Sequence, residues 1–265
     1  MHEFLKQIIQ SKQQEVNLLK QQALTMPEYS TKKLTSEATV THTHQLAMEL
    51  EQPTLTVIAE IKRHSPNKGF LASIHHPGEL AQQYVLGGAK AISVLTDYDY
   101  FHGNSDDLKQ VRQALDRRIS VLRKDFIIDP IQLVESVLMG ANVVLLIAGI
   151  LKKRLREFIE KVSMLGLEAI VEIHNDEELD LAIESGATII GINNRNLNNF
   201  EVSLDVAFDL VQSIPHGIFA IAESGISHPS QARLYHQAGF SGVLIGEALV
   251  LEKNPIRFIQ SCLEG

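Results

Sequence analysis

Val57-Ile58-Ala59-Glu60-Ile61-Lys62-Arg63-His64-Ser65-Pro66-Asn67-Lys68-Gly69 begins as an apolar strand and ends as a polar loop. Its β-branched start reads as a buried strand. Glu60 and Lys62 are two residues apart, so a strand points both to one face. An acid and a base that end a buried strand, just before Ser-Pro-Asn-Lys-Gly, read as a site. A Glu–Lys pair that satisfies itself at a strand end is the plain alternative.

Outward from this stretch one unit recurs. Apolar strands are expected at about 55–61, 91–95, 119–123, 142–147, 167–172, 188–192, 217–222 and 241–245. Between and after them, helical periodicity marks 78–87, 105–116, 130–139, 151–165, 176–185, 203–213, 229–238 and 254–263. Gly87-Gly88, Gly140, Gly166, Gly186 and Gly239 stand where left-handed helix caps are needed. Asp129-Pro130, Asn175-Asp176 and His228-Pro229 stand where helices begin. Eight alternating units predict an α/β fold, a closed eight-stranded parallel β/α barrel. A doubly wound open sheet lacks support, because no Gly-x-Gly-x-x-Gly follows the first strand. Upstream, 2–24 and 36–50 read as helices with a break between them. Residues 1–53 are therefore expected to form an N-terminal helical extension, and 54–265 the barrel.

A net charge of −8 argues against a nucleic-acid surface. Apolar content of 45% is ample for a large core. The single Cys262 rules out an intramolecular disulfide and fits a reducing compartment. The 11 His are scattered, and no Cys/His cluster has metal spacing. Neither a signal-peptide pattern nor a membrane-span length is present. A cytoplasmic protein is expected, with no nucleic acid, membrane or obligate protein partner.

In such a barrel the chemistry sits where strands end. Strand one ends with Glu60 and Lys62, strand three with Lys124 and strand five with Glu172. Strand six ends with Asn193 and Arg195, and strand seven with Glu223 and Ser224. These converge on one rim. Ionisable groups at buried strand ends are costly unless paired, so a structural network remains the alternative to a catalytic ring. Ser224-Gly225 after strand seven and Gly246-Glu247 after strand eight fall where barrels commonly hold a phosphate on backbone N–H groups. Leu95, Phe101, Phe126 and Leu197, with Leu145 and Ile147, supply an apolar wall that suits an aromatic or hydrocarbon portion of a ligand. Packing at the barrel mouth is the alternative for each.

Seven motifs together resemble indole-3-glycerol phosphate synthase. They are Ile58-Ala59-Glu60-Ile61-Lys62-Arg63-His64-Ser65-Pro66, Ser93-Val94-Leu95-Thr96-Asp97, Leu122 to Pro130, Val171-Glu172-Ile173-His174, Ile190 to Arg195, Ala222-Glu223-Ser224-Gly225-Ile226 and Leu244-Ile245-Gly246-Glu247-Ala248. They run in family order from residue 57 on; the N-terminal part matches through Lys12, Glu15 and Val16. The resemblance implies a β/α barrel that closes an indole ring in tryptophan biosynthesis. The substrate would be the phosphorylated 1-(2-carboxyphenylamino)-1-deoxyribulose 5-phosphate, with indole-3-glycerol phosphate, carbon dioxide and water as products. No cofactor and no metal are implied.

Carried over by position, Lys124 matches the general acid at the ketone oxygen, and Glu172 the acid/base of dehydration. Glu60, Lys62, Asn193 and Glu223 match residues that orient substrate or stabilise charge. Lys62 and Arg195 match positions near phosphate or polar substrate groups, and Ser65 the polar loop after strand one. Ser224, Gly225, Gly246 and Glu247 match the phosphate loops, through backbone N–H groups rather than the Glu247 carboxylate. The apolar wall matches the anthranilate pocket. A Lys124 flanked by Lys62 and partly desolvated is expected to have its pKa lowered toward neutrality. Asn67 and Asn104 stand where the family usually has Ser, and Leu46 where it has Phe. Phosphoribosylanthranilate isomerase is the nearest rival; it would use a Cys and Asp pair, and Cys262 lies in the last helix. A catalytically silent phosphate-binding barrel is the rival from another class.

Overall fold

The computed structural model describes residues 3–29, 45–196 and 201–264. Leu197 and the first part of the helix expected at 36–50 lie outside the described residues.

The strands follow from their sequence within one or two residues of expectation. β1 (Thr56–Ile61) is followed by a small antiparallel hairpin, β2 (His64–Ser65) with β3 (Gly69–Phe70). Then come β4 (Ala91–Leu95), β5 (Ser120–Lys124), β6 (Val143–Ile147), β7 (Glu168–Ile173), β8 (Ile189–Asn193), β9 (Phe219–Glu223) and β10 (Gly242–Ile245). Apart from the hairpin they form a closed parallel barrel in the order β1-β10-β9-β8-β7-β6-β5-β4. Pairing of β1 with β4, Glu60 opposite Ser93, completes the ring.

The helices are α1 (Glu3–Ala23), α2 (Gln45–Leu50), α3 (Pro77–Leu86), α4 (Ser105–Ala114), α5 (Pro130–Met139), α6 (Ala148–Leu151), α7 (Leu155–Met164), α8 (Asp176–Ser185), α9 (Asp205–Val211), α10 (Pro229–Gln237), α11 (Glu247–Leu251) and α12 (Pro255–Leu263). Asp129, Asn175 and His228 cap helices as expected, and Asn104 caps α4 by accepting from Asp106 N. At the end of α3 the left-handed residue is Gly88, whereas Gly87 stays right-handed. The expected helix over 151–165 divides into a 3-10 turn and α7, and the short α6 precedes it.

Alternation along the strands makes two cores. Val57, Ala59 and Ile61 face the surrounding helices, with Val94, Val144 and Val171. Ile58, Leu122, Ile170 and Ile221 face the barrel interior, one each from β1, β5, β7 and β9. Alternate strands supply each layer of side chains in such a barrel. Two residues further along these same four strands stand Glu60, Lys124, Glu172 and Glu223. The next layer is therefore made wholly of ionisable groups.

The two N-terminal helices serve opposite ends. The backbone N–H groups of Leu46 and Ala47, at the start of α2, donate to the Glu168 carboxylate at 2.9 Å each. Glu168 begins β7, so α2 and the buried Leu46 close the N-terminal end of the barrel. The Leu46 departure thus lies away from the mouth. α1 crosses the other end, where Lys12 reaches Asp97 and Asp125 beyond β4 and β5.

Candidate active site

The four-residue charged layer sets the geometry. Lys124 Nζ lies 3.1 Å from Glu172 Oε2 and 3.3 Å from Glu223 Oε2. Lys62 Nζ lies 2.8 Å from Glu60 Oε1, and Ser93 Oγ donates to Glu60 Oε2 at 3.4 Å. Asn193 bonds the Glu172 carboxylate, while its own Oδ1 accepts from Arg195 N at 2.9 Å. Two glycines make room for the acids. A Cβ on Gly191 would come within 2.1 Å of Glu223 Oε1, and one on Gly246 within 2.4 Å of Glu60 Oε1. Gly246 therefore serves the Glu60 carboxylate as well as its loop.

The electrostatics correct the expectation for Lys124. Lys62 is paired with Glu60. Burial works against the Lys124 ammonium, but Glu172, Glu223 and Glu60 outweigh it and hold the group above its ordinary value. The two acids beside it diverge. Burial pushes Glu223 up to about 7, against the pull of Lys124 and with repulsion from Glu172. Burial also opposes ionisation of Glu172, yet Lys124, His174 and the Asn193 bond prevail and keep it below its usual value. Such a divergence between neighbouring carboxyls suits one to hold a proton and the other to accept one.

Above this layer is an apolar cleft. Leu95, Phe101, Phe126, Leu145 and Ile147 line it, with Ser65, Arg195, Asn193 and the charged groups Glu60, Lys62, Lys124 and Glu172. The rings of Phe101 and Phe126 lie 6.1 Å apart, and Lys62 Nζ sits 5.9 Å from the Phe101 ring centre. A second cleft, of about 740 Å³, adjoins it along the loops after β9 and β10. Ser224, Gly225, Gly246 and Glu247 line this one, with Lys62, Lys68, Lys124, Arg195 and Glu223. Ser224 has a positive φ of 66°, uncommon for a residue with a Cβ and a form of strain that gathers at ligand loops. The Glu247 carboxylate meets Lys68 Nζ at 2.5 Å. Every expected site residue within the described chain thus reaches one rim.

Sequence reasoning missed some of the lining. Leu5 and Ile8 of α1 complete the apolar cleft. Their helical spacing marks an apolar face, but nothing local says where that face docks. A buried ion cluster does the docking. Lys12 Nζ lies 3.0 Å from Asp97 Oδ2 and 2.9 Å from Asp125 Oδ1. Asp97 Oδ1 accepts from the backbone of Tyr100 (2.8 Å) and Phe101 (3.2 Å), and Asp125 Oδ1 from that of Phe126 (2.8 Å). The same two acids therefore fix α1 and both phenyl rings of the cleft.

A family model for indole-3-glycerol phosphate synthase matches residues 5–262. The chain belongs to the indole-3-glycerol phosphate synthase family. It is 39% identical to the indole-3-glycerol phosphate synthase of Chlorobaculum tepidum over 96% of this chain and 98% of that one. It is 46% identical to the synthase of Kineococcus radiotolerans over 80% and 77%. Membership makes it a carboxy-lyase of tryptophan biosynthesis that acts on a phosphorylated small molecule. Among solved structures, 3-hexulose-6-phosphate synthase from Salmonella typhimurium superposes with a TM-score of 0.62 at 14% identity, over 79% of this chain and 97% of that one. Thiamine phosphate pyrophosphorylase from Pyrococcus furiosus gives 0.59 at 17%, over 79% and 94%. These two speak for the barrel alone.

Proposed function

We propose that the charged layer closes the indole ring of 1-(2-carboxyphenylamino)-1-deoxyribulose 5-phosphate, with Lys124 as acid and Glu172 as base. The observation that carries this reading is Lys124 held as an ammonium between Glu172 and Glu223, facing an apolar cleft with a polar cleft beside it. The aromatic ring would lie between Phe101, Phe126, Leu95, Leu145 and Ile147, with Leu5 and Ile8 above it. The phosphate would lie on the backbone of Ser224–Gly225 and Gly246–Glu247, with Lys62 and Arg195 beside it. The Glu247 carboxylate is already engaged by Lys68, which supports a backbone contact.

The steps follow from the groups. The ring carbon bearing the carboxylate attacks the ketone, and the ketone oxygen takes a proton from Lys124. Until that transfer the ammonium stabilises the developing alkoxide, as preorganised charge in a dry site does. Loss of carbon dioxide restores the aromatic ring. The new hydroxyl then leaves as water with a proton from the acid, and Glu172 accepts the proton shed from the carbon beside nitrogen. Glu223, 3.3 Å from Lys124, is placed to return a proton to it. Glu60, Lys62 and Asn193 orient these groups, and Ser65 borders the cleft. General acid catalysis of this kind is worth about 10²–10⁴ in rate. Folding the substrate into a near-cyclic shape adds to it. The cytoplasm, with its reducing poise, fits this reading and the lone buried thiol of Cys262.

The test is direct. Purified protein mixed with the substrate and a chelator should give a rise in indole fluorescence. Substrate bound without any rise would move the function to a silent phosphate binder.

A further inference from the structure

Glu172 has a second neighbour that the reaction above leaves without a task. His174 follows β7, and its Nε2 lies 3.4 Å from Glu172 Oε1, on the far side of that carboxylate from Lys124. This Nε2 is buried and makes no hydrogen bond among the described residues. The other ring nitrogen, Nδ1, lies 3.1 Å from Glu178 Oε2. The same Glu178 oxygen accepts from His174 N at 2.9 Å, so backbone and ring are gripped together. Glu178 is the third residue of α8, whose start is set by Asn175 accepting from Glu178 N at 3.0 Å. The carboxylate folds back into space left by Gly149, where a Cβ would stand 2.4 Å from Glu178 Oε1. Gly149 carries no positive φ, so the space rather than the backbone is what the glycine supplies. A cavity of about 700 Å³ borders both His174 and Glu178.

We propose that His174 is a positioning residue for Glu172, held by Glu178 in a recess that Gly149 keeps open. The proposal rests on the reading of Glu172 as the base. The chain Glu178–His174–Glu172 fixes one carboxylate oxygen and leaves the other to face Lys124 and the substrate. It also sets the basicity of Glu172. The charged groups around the ring are Glu172 on β7, Glu178 and Glu177 on α8, and Lys152 and Glu201 along the cavity, with Glu223 on β9 beyond Glu172. Acids dominate. Burial disfavours the imidazolium, but the Glu178 bond and the charges of Glu172, Glu178 and Glu223 raise its affinity for a proton. A charged His174 stabilises the Glu172 carboxylate. Its loss makes Glu172 harder to ionise, and the limb on which activity climbs with pH moves to higher pH.

The experiment compares His174→Gln, Glu178→Gln, Gly149→Ala and Glu172→Gln with the parent protein. For His174→Gln we expect kcat to fall about tenfold at neutral pH, KM to stay within about twofold, and the acid limb of the kcat profile to rise by about one pH unit. Gly149→Ala displaces the Glu178 carboxylate without altering a charge, so it should follow Glu178→Gln in direction with a smaller shift. A proton NMR titration of the His174 ring, assigned by its absence in His174→Gln, reads the contact without turnover. Its midpoint should fall in Glu178→Gln, Gly149→Ala and Glu172→Gln. An unchanged pH profile in His174→Gln overturns the proposal, as does a kcat loss that tracks a lowered melting temperature without a shifted limb. Full turnover by Glu172→Gln would instead remove the reading of the base, and the positioning role with it.

Discussion

Two groups of buried charge stand at the same end of the barrel and behave in opposite ways. In one, Lys12 and Arg123 face Asp97 and Asp125, all four under 6% exposed, with the more exposed Glu15 2.8 Å from Lys12 and Glu135 2.8 Å from Arg123 at its edge. Hydrogen bonds complete it: Thr96 Oγ1 donates to Asp125 at 2.6 Å, and Arg123 Nη1 donates to Gln132 O and Ser136 Oγ. In the other, Glu60, Glu172 and Glu223 face Lys62 and Lys124, with His174 on the other side of Glu172. The first group is balanced among its buried members and holds α1 and the loops of Phe101 and Phe126 in place. In the second, burial and repulsion from Glu172 push the Glu223 carboxyl up to about 7 despite Lys124. Burial alone therefore does not mark a reactive group. A carboxyl pushed toward neutral pH at the wall of a cleft does.

The largest difference should appear on removing a cation from the balanced group. Lys12→Met leaves Asp97 and Asp125 buried without it, and breaking a buried pair in this way costs about 3–5 kcal/mol. Chemical denaturation should register that loss. KM should rise as Leu5 and Ile8 lose their anchorage, with kcat less affected. A Lys12→Met protein as stable as the parent would remove the distinction between the two groups.

A smaller effect separates them by pH, with opposite signs. Lys12 and Arg123 hold the Asp125 carboxyl well below the usual carboxylate range against burial. Its contribution to stability is present above its unfolded value and is lost as pH falls toward its folded one. Asp125→Asn should flatten the acid side of a stability–pH curve. Glu223 is raised to about 7 from an ordinary 4.5. The folded state holds its proton more tightly, so its contribution is present below the unfolded value and is lost as pH rises through 7. Glu223→Gln should gain stability over the parent between about pH 4.5 and 7 and change little beyond. Equal slopes for the two variants would contradict the account.

Much of this rim was legible in the chain itself. Period-two alternation puts Glu60 two residues past Ile58, Lys124 past Leu122, Glu172 past Ile170 and Glu223 past Ile221, so one apolar layer announces the charged layer above it. The Glu60–Lys62 pair was legible from its spacing, but which acids meet Lys124 was not. Closure of the barrel brings side chains from alternate strands across its axis, and that set Lys124 between Glu172 and Glu223. The docking of α1 was hidden for a similar reason, since Lys12 finds its partners 85 and 113 residues further on, at Asp97 and Asp125. The short helices α6 and α11 escaped because four or five residues carry too little periodicity. The end of the barrel at which Leu46 lies was not legible either, because it is set by Glu168, which anchors α2 at the N-terminal end.

The central claim is that the group facing the clefts does the chemistry and the group around Lys12 and Arg123 holds the site together. Lys124→Ala tests it most directly, measured for turnover by indole fluorescence and for melting in the same preparation. The account expects turnover to fall by at least about 10² while melting stays close to that of the parent. Retained turnover, or a loss of turnover that merely follows unfolding, would contradict it.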